Sequence, residues 1–155
     1  MVSQALMMSN KQDWETPDHL FDALNKEFHF TLDVCAHSEN KKLDRYFSPA
    51  DNSLIQDWSN DVCFMNPPYN RDVYTWMQKA YNEFQNGATV VCLIAARTDT
   101  KYWHEFCMRA TEIRLIRGRL KFKGADNSAT FPSAIIVFDP ATHWIVPILK
   151  SYTHK

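Results

Sequence analysis

Val62-Cys63-Phe64-Met65-Asn66-Pro67-Pro68-Tyr69 sets four apolar residues directly against a loop stiffened by two prolines. An unbroken apolar run reads as a strand covered on both faces, as in a parallel sheet packed between helices, and proline ends it because it has no N–H for the ladder. Downstream, Val73, Trp76, Met77, Ala80, Tyr81 and Phe84 recur at helical spacing until Asn86-Gly87, and Ala88 to Ala95 is a second buried strand. Upstream, Thr16-Pro17 reads as a helix N-cap and first-turn proline. Leu20, Phe21, Leu24 and Phe28 then form one apolar face, and the strand Phe30 to Ala36 follows, with an acid at Asp33. The run His37 to Arg45 reads as a loop or short helix, and Tyr46-Phe47 as a brief strand. Beyond Ala95, Asp99 or Thr100 caps a helix bearing Tyr102, Trp103, Phe106 and Ala110. Glu112 to Ile116, Arg119 to Lys123 and Ala134 to Phe138 read as closing strands with short connections. Alternation of strands and helices predicts a single α/β domain, its sheet mainly parallel with an antiparallel C-terminal edge and helices on both faces. Ligands of such sheets bind beyond the carboxyl ends of the strands, which is where Asn66 falls.

The length, 155 residues, suits one domain. We expect a flexible segment over 1–12, the domain over 13–140, and a C-terminal strand or tail over 141–155 packed on that domain. With 45% hydrophobic and 23% charged residues the chain is neither disordered nor fibrous. A net charge of −1 excludes a wholly basic nucleic-acid-binding module, so any such surface is a local patch. Cys35, Cys63, Cys92 and Cys107 lack paired spacing, and the six histidines show no ligand pattern, so no metal site is expected. The chain shows neither a basic-then-apolar leader nor an apolar run of about 20 residues, so no membrane association is expected and the protein should stay in the cytoplasm.

The loop at 66–69 carries the chemistry. An exocyclic amine conjugated to a ring is a poor nucleophile because its lone pair is delocalised. The Asn66 side-chain oxygen and the Pro67 carbonyl are two acceptors that can take its hydrogens and return the lone pair to nitrogen, and Pro67 and Pro68 hold the backbone in place for the developing positive charge. Tyr69 offers a face on which an extruded base can stack. A basic stretch follows later in the chain. Arg114, Arg117, Arg119, Lys121 and Lys123 oppose one acid, Glu112, for a local +4. Alternation of 117, 119, 121 and 123 would put them on one face of a strand, spaced for phosphates along a groove, although charged edge strands also serve to prevent aggregation. Arg97, at the start of the loop after a buried strand, is either a DNA contact or part of a helix cap.

From Trp14 to Pro140 the chain resembles the bacteriophage DNA N-6-adenine methyltransferases. The resemblance is carried in order by Trp14-Glu15-Thr16-Pro17, Leu32-Asp33-Val34-Cys35-Ala36, Asn66-Pro67-Pro68-Tyr69, Ala96-Arg97-Thr98-Asp99-Thr100, Arg117-Gly118-Arg119-Leu120-Lys121-Phe122 and Phe131-Pro132-Ser133-Ala134. It implies a Rossmann-like methyltransferase fold, S-adenosylmethionine as donor, and adenine in double-stranded DNA as acceptor, with GATC as a candidate target. It also implies a phage or prophage origin and action in a bacterial host cell. Asp33 resembles the acid beside which the cofactor's methionine end is held, with Cys35 and Ala36 lining a turn that here contains no glycine. Asp57-Trp58 resembles the segment near the cofactor's adenine, and Asp51 is a candidate for its ribose or else a turn cap. Trp14, Thr16 and Pro17 are either cofactor contacts or a helix start. The same loop chemistry also serves enzymes that methylate an RNA base or a protein glutamine amide, and a catalytically silent nucleic-acid-binding module is a further alternative. The target sequence and oligomeric state are not legible.

Overall fold

The computed structural model describes residues 14–142 and 148–153, so the segment expected to be flexible, 1–12, lies outside the described residues. Its helices are α1 (Asp18–Phe28), α2 (Val73–Gln85) and α3 (Lys101–Glu105). The strands are β1 (Leu32–Asp33), β2 (Val62–Met65), β3 (Thr89–Ala95), β4 (Glu112–Ile116), β5 (Ser133–Phe138) and β6 (Ile148–Tyr152). They form one sheet in the order β1-β2-β3-β5-β4-β6. β1, β2 and β3 run parallel, with Asp33 opposite Phe64 and Met65 opposite Cys92. β5 is antiparallel to both β3 and β4, and β6 runs parallel to β4.

Side chains alternate across a strand, so every buried strand supplies two cores. On one face Val90, Cys92, Ile94, Ala134 and Ile136 pack against Met77 of α2 and Tyr102 and Trp103 of α3. On the other, Phe64, Val91, Leu93, Ile135 and Val137 meet Leu20, Phe21 and Leu24 of α1. Helices therefore cover both faces, which is why β2 and β3 read as unbroken apolar runs. Each fully buried side chain of this size contributes on the order of 1.5–3 kcal/mol. α1 stops where His29 enters the left-handed region (φ 55) and Asn25 takes the next two N–H groups, His29 N–H on its carbonyl and Phe30 N–H on its side chain. α2 ends at Asn86, and Gly87 (φ 110) supplies a conformation that L side chains avoid.

Several expectations are corrected in detail. The antiparallel strand lies inside the sheet, flanked by β3 and β4, and the outermost strand on that side is the parallel β6. Arg119 to Lys123 is not a strand. The segment runs irregularly, with Ala129 N–H donating to Leu120 O and Lys123 N–H to Glu15 O, yet the expected alternation survives because Leu120 and Phe122 are buried between exposed cations. The helix after Thr100 breaks at Phe106, and Cys107 and Ala110 reach the core from a 3-10 turn. Tyr46 makes only an isolated parallel bridge to Asp33. Pro17 holds the N-cap position of α1 without a side-chain cap bond, and Thr16 is not the cap because its hydroxyl is used elsewhere.

Candidate active site

Asn66 is the first residue beyond β2, at the carboxyl end of the parallel strands. Its side-chain NH₂ donates to Trp14 O at 2.5 Å and to Thr16 Oγ1 at 2.9 Å. A carbonyl can only accept, so the Trp14 bond fixes which end of the amide carries nitrogen. Asn66 Oδ1 is consequently turned away from the Trp14–Thr16 segment, is buried, and has no hydrogen-bond partner among the described residues. Ser53 Oγ and Ser133 Oγ share that status, but a hydroxyl can rotate and also donate, whereas the amide oxygen is a fixed acceptor. Pro67 is buried and Pro68 half-buried. Tyr69 donates its hydroxyl to Leu93 O at 3.0 Å, and burial pushes its phenol well above the usual range, so it stays a neutral donor. Its ring sits 5.3 Å from Phe131 and 6.0 Å, edge-on, from Phe122. Trp14 closes the same aromatic group at 5.2 Å from Phe122 and 5.6 Å from Phe131.

The parallel register carries the first turn to this place. Val34 N–H donates to Phe64 O, so the turn that begins at Val34 leaves the sheet beside the end of β2. Asp33 is almost wholly buried and spends its carboxylate on that turn. Oδ1 accepts Cys35 N–H at 3.4 Å and Oδ2 accepts Lys42 N–H at 3.0 Å. Desolvation outweighs these bonds and raises its carboxyl above the ordinary value. Ala36 N–H donates to Phe47 O, which brings the Ser48–Asp51 turn to the same edge. There Asp51 accepts Ser48 N–H and Ser48 Oγ–H in a capping box, and those bonds, the backbone one first, lower its exposed carboxyl. Asp57 and Trp58 are not drawn into the cluster. They precede β2 at its amino end. Trp58 is fully buried against Trp76 and Lys79 of α2, donating its backbone N–H to Glu83 and its indole N–H to Ser53 O, while Asp57 accepts Ser59 N–H at an exposed position.

A cavity of about 860 Å³ opens beside the Asn66 loop, lined among others by Trp14, Tyr69, Arg97, Lys101, Asn127 and Phe131. Arg97 lies over the Phe131 ring at 5.8 Å. Phe122, Phe131 and the 124–128 wall all fall in the stretch 117–133, which with the loop around Arg97 is expected from the sequence to read the DNA, and two aromatic residues recurring in and after a basic, polar stretch are a legible signal of a ring-binding surface. The basic stretch itself divides. Arg114 is buried between Glu27 and Glu112, which raise its pKa, and Lys123 is paired with Asp18 at 3.0 Å. Arg117, Arg119 and Lys121 are exposed and form no ion pair among the described residues. No group of three or more His, Cys, Asp or Glu residues among those described could hold a metal ion, and no described helix is long and apolar enough to cross a membrane.

A mainly parallel sheet covered on both faces, with a polar loop and a ring-lined cavity beyond its strand ends, is an architecture of the methyltransferase class. The sequence profile of the DNA N-6-adenine-methyltransferase (Dam) family matches residues 3–152, and the chain belongs to that family of adenine-specific DNA methyltransferases. A DNA N-6-adenine-methyltransferase of Haemophilus phage HP1 (strain HP1c1) is 30% identical over 149 residues, 90% of this chain and 86% of its own length. One from Escherichia phage T1 is 29% identical over 110 residues, 69% of this chain and 45% of its own. The putative methyltransferase YfdM of Escherichia coli (strain K12) is 38% identical over 63 residues, 36% of this chain and 69% of its own.

Proposed function

We propose that the chain methylates the exocyclic N-6 amine of adenine in double-stranded DNA at the Asn66 loop, acting in a bacterial host cell. The observation that carries this reading is the orphaned Asn66 Oδ1. A buried acceptor without a donor costs on the order of 1–3 kcal/mol, and such an atom calls for a ligand N–H that satisfies it. The Trp14 carbonyl keeps the amide oriented for that donor. Asn66 Oδ1 and the Pro67 carbonyl accept the two amine hydrogens and leave the nitrogen lone pair directed at the methyl donor. Tyr69, pinned through its hydroxyl, presents its ring to the base, and Trp14 and Phe131 complete an aromatic slot. Because Oδ1 is closed off from solvent, a base reaches it only as the surrounding walls part.

S-adenosylmethionine, the donor that the family implies, supplies an electrophilic methyl when bound. The polar segment ahead of α1, bonded to Asn66, and the turns that follow β1 at the carboxyl end of the parallel strands are the groups that suit it. Trp14 and Pro17 on one side and Cys35, Ala36 and Asp51 on the other would hold it, with Thr16 buried and engaged by the Asn66 amide, and Asp33 acting indirectly by shaping the turn. Asp57 and Trp58 are left out of this group by their position. Arg117, Arg119 and Lys121, with Arg97 at the cavity, would meet DNA phosphates.

Asn66→Ala tests the reading. It should lower methyl transfer by at least about 10²-fold, the scale of losing one preorganised polar group at a transition state, while calorimetry shows S-adenosylmethionine affinity within a few-fold of wild type. Near wild-type turnover in a folded variant would reject it.

A further inference from the structure

We infer that Thr16 is a positioning residue for the reaction, one half of a latch that holds the Asn66 amide in its productive orientation. The inference rests on the reading of Asn66 above. Both amide hydrogens of Asn66 are taken by the short segment ahead of α1, one by Trp14 O and the other by Thr16 Oγ1. Thr16 is 2% exposed, so water cannot replace its hydroxyl as acceptor. With both acceptors in place, rotating the amide would set its oxygen against the Trp14 carbonyl and strand two N–H donors. Without the hydroxyl, one buried N–H loses its partner, and the amide is held at a single point.

The latch is itself anchored at several places. Lys123 N–H donates to Glu15 O. Asp18 is bonded by Lys42 at 2.8 Å and paired with Lys123 at 3.0 Å, and Glu15 lies within 3.5 Å of Lys42 and 3.7 Å of Lys123. Trp14 is wedged between Phe122 and Phe131. Lys42 also donates its backbone N–H to Asp33, so the same segment ties the Asp33 turn, the Asn66 amide and the end of the basic stretch together. This accounts for a threonine that sits where a cap is expected and does not cap.

The test separates positioning from cofactor contact. Thr16→Val keeps the shape and removes the acceptor, and Thr16→Ser keeps the acceptor. We expect Thr16→Val to lower kcat about tenfold or more, with KM for DNA and the Kd for S-adenosylmethionine within twofold of wild type, and Thr16→Ser to restore kcat. In wild type, the Asn66 side-chain NH₂ resonances, assigned by their loss in Asn66→Asp, should exchange slowly with solvent, and in Thr16→Val they should exchange faster. A weakened cofactor Kd with unchanged kcat would overturn the inference and make Thr16 a cofactor contact. Unchanged kcat alongside an inactive Asn66→Ala would reject the latch alone, whereas an active Asn66→Ala would reject the reading beneath it. If Thr16→Val does not fold, rapid exchange of the wild-type Asn66 amide would still overturn the proposal.

Discussion

Replacing both Arg119 and Lys121 with alanine should weaken DNA binding and flatten its dependence on salt. The magnitude follows from which cations are free. By sequence the segment offers five positive charges, but Arg114 is buried between Glu27 and Glu112, and Lys123 is spent on Asp18 and Glu15. That leaves Arg117, Arg119 and Lys121 exposed and carried by one short irregular stretch. Each phosphate neutralised contributes about 0.9 to the slope of log affinity against log salt on duplex DNA. The double variant should therefore lose nearly 2 from the slope, and adding Arg117→Ala about one more. Lys123→Ala supplies the contrast. Its charge is already compensated within the fold, so the slope should stay within a few tenths of wild type. Fluorescence anisotropy on a labelled duplex across a salt series measures all four proteins, with cofactor affinity as a control. If Lys123→Ala flattened the slope as much as the loss of Arg119 or Lys121, or if the double variant left it unchanged, the sorting of free from paired cations would be wrong.

Two further outcomes concern the acids around the Asn66 loop. Asp33→Ala strands Cys35 N–H and Lys42 N–H and should weaken S-adenosylmethionine binding at least tenfold, roughly 1.4 kcal/mol, in a protein whose circular dichroism is unchanged; wild-type affinity would remove the Asp33 turn from the cofactor site. Asp18, held by side-chain bonds from Lys42 and then Lys123, has its carboxyl lowered from 3.8 to about 2. A depressed folded-state value means that its tether is fully present above pH 3.8 and is lost as pH falls toward 2. A carboxyl titration by NMR with a midpoint near the ordinary value would contradict that tether.

The elements that were legible are those with a strong local pattern. β2, β3 and β5 announced themselves because helices cover both faces and leave no polar position beyond the first residue of a strand, and α1 and α2 because each buries a single stripe. The strand Phe30 to Ala36 shrank to two residues because the Asp33 side chain pulls the next N–H groups into a turn, a competition that strand propensity does not register. Arg119 to Lys123 kept its alternation without a ladder, since burial of Leu120 and Phe122 against the aromatic group imposes the same period as a strand. Around the candidate site, the position of the Asn66-Pro67-Pro68-Tyr69 loop directly after β2 could be read from the apolar run and the prolines. Its partners could not, because Trp14 and Thr16 lie some fifty residues away, and nothing local tells a capping hydroxyl from one that accepts a distant amide. Asp57-Trp58 looked like a cofactor segment for the opposite reason. An acid beside a tryptophan has the same appearance whether the ring meets a ligand or, as here, fills the space under α2.

The central claim is that methyl goes to the adenine amine of duplex DNA. Unmethylated duplex DNA incubated with the protein and methyl-labelled S-adenosylmethionine, then digested to nucleosides and separated by mass, tests it directly. The account predicts label in N-6-methyladenine alone, abolished by Asn66→Ala. Label on cytosine, label only in RNA or protein acceptors offered in parallel, or no transfer by a folded protein that binds the cofactor would contradict it.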